Sequence, residues 1–338
     1  MGGTAFGSPC RRLRRIEHEH MTLEACATLG GLGIKPRAVP SYRSKEDHGD
    51  IDILAVGAEG MDKSVAEAFG AEKALRNGEC LSLMWRGAQL DIVNVSEDLL
   101  DAAFGYFSWA DLGNFLGRIA KAGGFCYGHR GLGRWVTGPT GGRAAVIPVC
   151  TRTRDIFHFF GLDHSRWMKG FDEPEDIYAF AASSPLFSRR IFEPMSLDHR
   201  SRVRNRKRPV YAGLLDWSRG KNLPNFDFHS ATAEWWDQRT VNVFGAKWVD
   251  ERARWIQAEG RRAEVASKFN GERVRSLTGL VGPELGAFIQ QFKRGIDARF
   301  DEWVLEQDND SLDRAILEYF KPRAGLGGGG GGKDGRAK

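Results

Sequence analysis

The chain reads as an α+β protein: a small mixed β-sheet core with flanking helices, followed by a mainly α-helical domain. Apolar, β-branched runs at Ile51–Val56, Cys80–Trp85 and Ala88–Val95 have strand length and alternate with segments of helical periodicity. From Arg152 onward the apolar spacing is helical almost throughout. A chain of 338 residues also exceeds what a single core usually takes, so two domains are expected.

Met21–Leu32 reads as a short helix capped by Thr22 and ended by Gly30-Gly31. Ile34–Val39 leads into a polar loop at 44–49, and Ile51–Val56 is a strand. Met61–Asn77 carries Val65, Ala68, Phe69 and Leu75 at helical spacing, which predicts a helix stopped by Gly78. Cys80–Trp85 and Ala88–Val95 then form a hairpin about Arg86-Gly87. Residues 98–122 are helical with a break near Ser108, and Phe107, Trp109, Leu112, Phe115, Leu116 and Ile119 make their core stripe. The glycine-rich stretch 123–136, with Gly141-Gly142 beyond it, matches neither a Walker A loop nor a dinucleotide fingerprint. It reads as hairpins between strands such as Trp135-Val136 and Ala144–Val149. Thr153–Phe160, Ser165–Lys169 and Pro174–Ala182 are helices, the last with Pro in its first turn. Charged helices punctuated by Trp235, Trp236, Phe244, Trp248, Trp255 and Ile256 continue to Glu306. The glycine-rich end, 321–338, has too little apolar content for a core and is expected to be a disordered tail.

Charge and cysteine usage narrow the function classes. The net charge is only +5, but Arg11–Arg15 and Arg200–Arg208 concentrate it, which favours a polyanionic partner. Five Cys, at 10, 26, 80, 126 and 150, form no CxxC pair; no zinc signal arises, His129 has no ligand partner at suitable spacing, and a reducing, cytoplasmic setting is expected. No 18-residue apolar run suggests a membrane span, and the first residues lack the apolar stretch of a secretory signal.

The chemistry concentrates at Asp50-Ile51-Asp52. At the start of a strand, carboxylates at i and i+2 project from one face, a repulsive arrangement unless a cation lies between them. A hard divalent ion such as Mg²⁺ prefers such oxygen ligands. Asp91, among apolar residues of the strand Ala88–Val95, supplies a third carboxylate. Three Asp on neighbouring strands predict a site for two Mg²⁺ ions, which points to phosphoryl transfer.

This segment resembles the signature of the nucleotidyltransferase superfamily that includes DNA polymerase β, poly(A) polymerases and CCA-adding enzymes. In that family a Gly-Ser opens a helix, a DxD follows, and a third Asp lies on a later strand. Ser41 matches the family serine, Asp50 and Asp52 the paired metal ligands, and Asp91 the third carboxylate; Pro40 stands where the family has glycine. The resemblance implies an NTP whose phosphates rest on the turn after Ser41, helped by Arg43 or Lys45. It also implies that the helix after the catalytic sheet faces the nucleotide, which makes Asn114 and Arg118 candidate contacts. Beyond the core, Tyr106–Trp109, Tyr127–His129 and the Arg-rich stretch are similar to uncharacterised nucleotidyltransferase-like proteins of phages and large viruses. The expected organisation is a basic extension at 1–20, the nucleotidyltransferase core at 21–122, a Gly-rich strand and loop segment at 123–151, a mainly helical domain at 152–320, and the tail.

Six of the nine residues from Arg200 to Arg208 are basic, and as a surface helix they need acidic neighbours or a polyanion. Arg202, Arg204, Arg206, Lys207 and Arg208 are the candidate nucleic-acid contacts; pairing with Glu193, Asp198 or the acidic residues at 172–176 is the structural alternative. The expected function is Mg²⁺-dependent transfer of NMP from an NTP to a hydroxyl, with a polynucleotide end as acceptor. A non-catalytic nucleic-acid-binding protein that keeps the fold, or an enzyme with a small-molecule or protein acceptor, are the alternatives.

Overall fold

A computed structural model of the chain describes residues 3–137, 144–206, 208–296 and 299–324. Its first elements are the two-residue strand β1 (Leu13–Arg14) and helix α1 (Arg15–Gly31). The helix starts well before the expected Met21, with Glu17 in its first turn complementing the helix dipole. Thr22 is therefore no cap: it lies inside α1 and donates its hydroxyl to the His18 carbonyl at 2.7 Å. Met21, Ala25 and Leu29, four residues apart, form the buried stripe.

Strands β2 (Lys35–Ala38), β3 (Asp47–His48) and β4 (Asp50–Val56) follow; β3 pairs with β1, and β2 runs antiparallel to β4. The predicted helix over Met61–Asn77 is only partly formed. Helix α2 (Asp62–Ala68) ends before Gly70, whose φ of 55° is a left-handed stop, and Lys73–Asn77 is strand β5. Every residue of β5 is exposed and two are basic, as suits the edge of a sheet. The hairpin of β6 (Cys80–Trp85) and β7 (Ala88–Asn94) turns on Arg86 and Gly87, both at positive φ, the requirement of a two-residue turn. The five-stranded sheet has the order β2-β4-β7-β6-β5, with β4 and β7 parallel and the other pairs antiparallel.

Alternation along β4 and β7 decides what each sheet face holds. Ile51, Ile53 and Ala55 of β4, with Leu90 and Ile92 of β7, pack into one apolar cluster with α1. On the other face Leu54 and Val93 are covered by Leu100 and Ala103 of helix α3 (Leu100–Phe107). Two residues earlier on each strand stand Asp52 and Asp91, both half-buried.

Helix α4 (Leu112–Ala122) follows α3 across a break at Ser108–Asp111, as the sequence predicted. Within the break Trp109 (φ 67°) and Ala110 (φ 57°) are both left-handed, an uncommon conformation for residues bearing a Cβ. Strands β8 (Phe125–Gly128), β9 (Gly131–Thr137) and β10 (Ala144–Cys150) form a three-stranded sheet; Gly141 and Gly142 lie outside the described residues. Helices α5 (Thr153–Phe160), α6 (His164–Met168), α7 (Pro174–Ala182), α8 (His199–Arg206), α9 (Pro209–Trp217) and α10 (Ala233–Phe244) come next. Phe157, Phe160, Tyr178, Tyr211 and Trp236 from this series share one buried cluster with Phe115 and Phe125.

The described chain divides into two compact units, the first taking residues up to 136 and 145–250. Helix α11 (Lys247–Lys268) carries the chain into the second, which also holds α12 (Gly271–Thr278), α13 (Gly282–Ile296), α14 (Phe300–Glu306) and α15 (Asn309–Ala324). Its core is built on Phe269, Val274, Phe292, Phe300, Leu312 and Ile316. The fold is thus a small mixed sheet with flanking helices followed by a mainly helical region. Of the expected disordered tail, 321–324 continue α15 and 325–338 lie outside the described residues.

Candidate metal centre and its cleft

Parallel pairing sets Asp50 beside Gln89 and Asp52 beside Asp91. One carboxylate oxygen from each of Asp50, Asp52 and Asp91 lies within 4.8 Å of the other two. The sequence placed Asp50 and Asp52 on one face; the register brings Asp91 to the same point. Two polar neighbours hold Asp91 from the same face. Ser82, opposite it on β6, donates its hydroxyl to Oδ1 at 2.6 Å, and the Gln89 amide donates to Oδ1 at 3.0 Å and Oδ2 at 2.8 Å. Gln89 is held in turn by the backbone N–H of Ala5, which donates to its Oε1 at 2.9 Å.

Electrostatically the cluster is short of positive charge. Asp52 has its pKa raised well above the usual carboxylate range, first by burial and then by the charges of Asp50 and Asp91, with Lys45 opposing. Burial also raises the pKa of Asp91, partly offset by the hydrogen bonds from Ser82 and Gln89. A proton or a cation relieves such a cluster. Three carboxylate oxygens converging in a partly open site are the donor set that a hard divalent ion takes, with water completing its shell.

The aspartates open into a cleft. A cavity of about 270 Å³ is lined by Asp50, Asp52, Ser41, Lys45, His48 and Arg208 among others. A neighbouring one of about 300 Å³ shares Asp50, Asp52, Lys45 and Arg208 and adds Tyr42 and Asp111. Lys45 and Arg208 thus face the carboxylates across space sized for small polar groups. Arg208 is anchored by an ion pair with Asp111, whose side chain is only 9% exposed. Ser41 lines the cleft with its hydroxyl buried and without a hydrogen-bond partner.

The remaining expected contacts are distributed unevenly. Ser41 sits in an irregular segment and opens no helix, unlike the serine of the family it resembles. Arg43 does not line either aspartate cavity; it pairs with Asp172 at 2.6 Å. Arg118 is buried in α4 and donates to the carbonyls of Ile191 (2.8 Å) and Ser196 (3.1 Å), and Asn114 bonds Arg204 and Asn205. Neither lines these cavities: Asn114 faces α8, and Arg118 faces the segment 191–196 that precedes it. Arg202, Arg204 and Arg206 lie on α8; Lys207 is outside the described residues. Among the described residues no ion pair joins Arg200, Arg202, Arg204 or Arg206 to Glu193, Asp198 or the acidic residues at 172–176. Glu193 pairs with Arg189, Asp198 with Lys121 and Asp172 with Arg43, while Arg208 finds its partner in Asp111.

Sequence reasoning passed over Ser82, Gln89, Asp111 and the pair His18 and His48, whose rings stack in the cleft wall with centroids 3.8 Å apart. A signal existed for two of them. A two-residue turn at Arg86-Gly87 fixes the hairpin register and sets Ser82 opposite Asp91, and alternation sets Gln89 on the same face. Among the described residues no helix is long and apolar enough to cross a membrane. In comparisons with known proteins, no protein-family model and no curated protein matches the chain.

Proposed function

We propose that the protein is a divalent-metal-dependent nucleotidyltransferase of the polymerase β type, transferring NMP from an NTP to a hydroxyl, with a polynucleotide end as acceptor. The observation that carries this reading is the convergence of Asp50, Asp52 and Asp91 within 4.8 Å at the mouth of a cleft walled by Lys45 and Arg208. Asp50 and Asp52 would hold Mg²⁺ and Asp91 would complete the site; two ions is the number that the family resemblance implies. When bound, Mg²⁺ polarises phosphoryl oxygens and lowers the pKa of a coordinated hydroxyl.

The chain's own groups do the placing. Lys45 and Arg208 neutralise phosphate charge from the wall facing the aspartates, and the unpartnered Ser41 hydroxyl is a donor for a phosphate oxygen. Asp91, steered by Ser82 and Gln89, is the carboxylate placed to take the acceptor's proton. Asp111 keeps Arg208 extended over the cleft before substrate arrives. One observation favours the alternative of a non-catalytic binding protein: the Pro40-Ser41 turn opens no helix and so offers the phosphates no helix N-terminus.

The test is pyrophosphate release from each NTP in the presence of RNA, DNA or protein acceptor pools. Release is expected to require Mg²⁺ and to fall by more than about 100-fold in D50N and D52N, beyond the effect of losing a supporting hydrogen bond to a ligand. Equal release by wild type and both variants refutes the catalytic reading, and label entering only protein or small molecules refutes the polynucleotide acceptor.

A further inference from the structure

Helix α8 presents an unusual surface. At about 100° per residue, the positions along His199–Arg206 project at defined angles around its axis. Ser201 and Asn205 point inward, Asn205 being buried, and Val203, 45% exposed, stands opposite them at the crown. Measured from Val203, Arg200 and Arg206 fall at about 60° on either side, and Arg202 and Arg204 at about 100° on either side. The result is a convex ridge with an apolar crest and one row of guanidinium groups down each flank.

The lower pair is braced from within: Arg202 donates to the Leu197 carbonyl at 3.1 Å and Arg204 to the Asn114 side chain at 2.6 Å. Arg200 and Arg206 are exposed, and among the described residues no carboxylate pairs with any of the four. The nearby acids are engaged elsewhere, Asp198 by Lys121, Glu193 by Arg189 and Asp111 by Arg208. Four like charges kept on eight residues without counter-charge repel one another, and a polyanion relieves that cost.

The shape of the ridge selects among polyanions. An unpaired strand is held in a concave channel with aromatic faces for its bases, and α8 is convex and contains no Phe, Tyr or Trp. A helix with side chains is about 10–12 Å across, which the major groove of B-form DNA, about 12 Å wide, admits, with each flank meeting one phosphate row. The deep, narrow major groove of an A-form RNA helix does not admit it. Two residues past the helix, Arg208 lines the aspartate cleft and donates its backbone N–H to the Asn205 carbonyl at 3.0 Å, so the ridge ends at the cleft.

We infer that α8 is a docking ridge for duplex DNA, seated in the major groove with Arg200 and Arg204 on one phosphate row and Arg202 and Arg206 on the other, beside the aspartate cleft. This deepens the nucleotidyltransfer reading by naming the form of polynucleotide, and its binding test does not depend on catalysis. Fluorescence anisotropy is measured with the full chain and a labelled duplex of about 20 base pairs, the same sequence as a single strand, and the corresponding RNA duplex. Duplex DNA is expected to bind tightest. The double variant R200A/R206A should weaken it by about 10-fold or more near 0.1 M salt and lower the slope of log affinity against log salt by about 2, at about 0.9 per phosphate contact. V203E, at an exposed position where the fold has no stake, should weaken it likewise while leaving the circular dichroism spectrum unchanged. The binding assay contains neither NTP nor Mg²⁺, so a failure of the catalytic reading leaves this result standing. Tighter binding of the single strand or of duplex RNA, no measurable binding of duplex DNA, or an unchanged salt slope in the double variant would overturn the inference.

Discussion

Replacing Asp52 by asparagine separates what the aspartate cluster costs from what a metal ion returns. At 4.8 Å, the outer limit of the oxygen separations, two unit charges repel by about 3.5 kcal/mol at an effective dielectric of about 20. Asp52 faces two such neighbours, and partial protonation relieves part of the total. Without metal, D52N should therefore be more stable than wild type, by about 1–3 kcal/mol once that relief is counted. With Mg²⁺ at about 100 times its dissociation constant, wild type should gain about 2.7 kcal/mol. For a unit of this size that is a rise in Tm of about 5–10 °C. D52N, with one ligand neutral, should lose most of that rise. Differential scanning fluorimetry in EDTA and in graded Mg²⁺ gives all four values. A D52N protein less stable than wild type in EDTA, or one that keeps the full Mg²⁺ response, would refute the argument that these carboxylates are held together against their own repulsion for the sake of a cation.

Ser82→Ala removes the 2.6 Å hydrogen bond to Asp91 and should reduce nucleotidyl transfer by about 10–100-fold with little loss of Tm, while Ser82→Thr restores it; equal activity in Ser82→Ala would show that Asp91 needs no steering. His18 has its pKa lowered from 6.5 to about 4, by burial first and then by the neighbouring His48 and Lys45. The fold favours its neutral form, so its contribution to stability is complete above pH 6.5 and is lost as the pH falls from there through about 4. Urea midpoints at pH 7 and pH 4.5 should therefore fall further for wild type than for His18→Gln, and parallel declines would contradict the assignment.

The elements that form the site were legible because local chemistry fixes them. Arg86-Gly87 permits only a tight turn, and the two apolar strands around it follow. The alternation of Asp50-Ile51-Asp52 already states that both carboxylates share a face. What stayed hidden depends on partners distant in sequence. The Lys73–Asn77 strand was masked because Leu75 continues the helical spacing of Val65, Ala68 and Phe69, and only pairing with β6 overrides it. Arg43 looked as suited to phosphate as Lys45 until the fold brought Asp172, 129 positions away, within reach of it. The same holds for Arg118 and Asn114, which bond carbonyls and side chains of the segment around α8. Charge type is written in a sequence, but whether a charge is free is a property of the fold.

The backbone bond from Ala5 to Gln89 has a kinetic consequence. Gln89 orients Asp91, and it is itself fixed by a residue 84 positions earlier, within a segment whose Cys10 and Arg11 are also tied down by backbone bonds to Gly3 and Gly87. Gly3 lies so close to the Gly49 carbonyl that a Cβ there would collide with it. Closing a loop of that length costs entropy before its contacts return anything, so the last support of the acidic cluster is added after the sheet has zipped together. A newly made chain will own its hairpin and its aspartates before it owns a working arrangement of them.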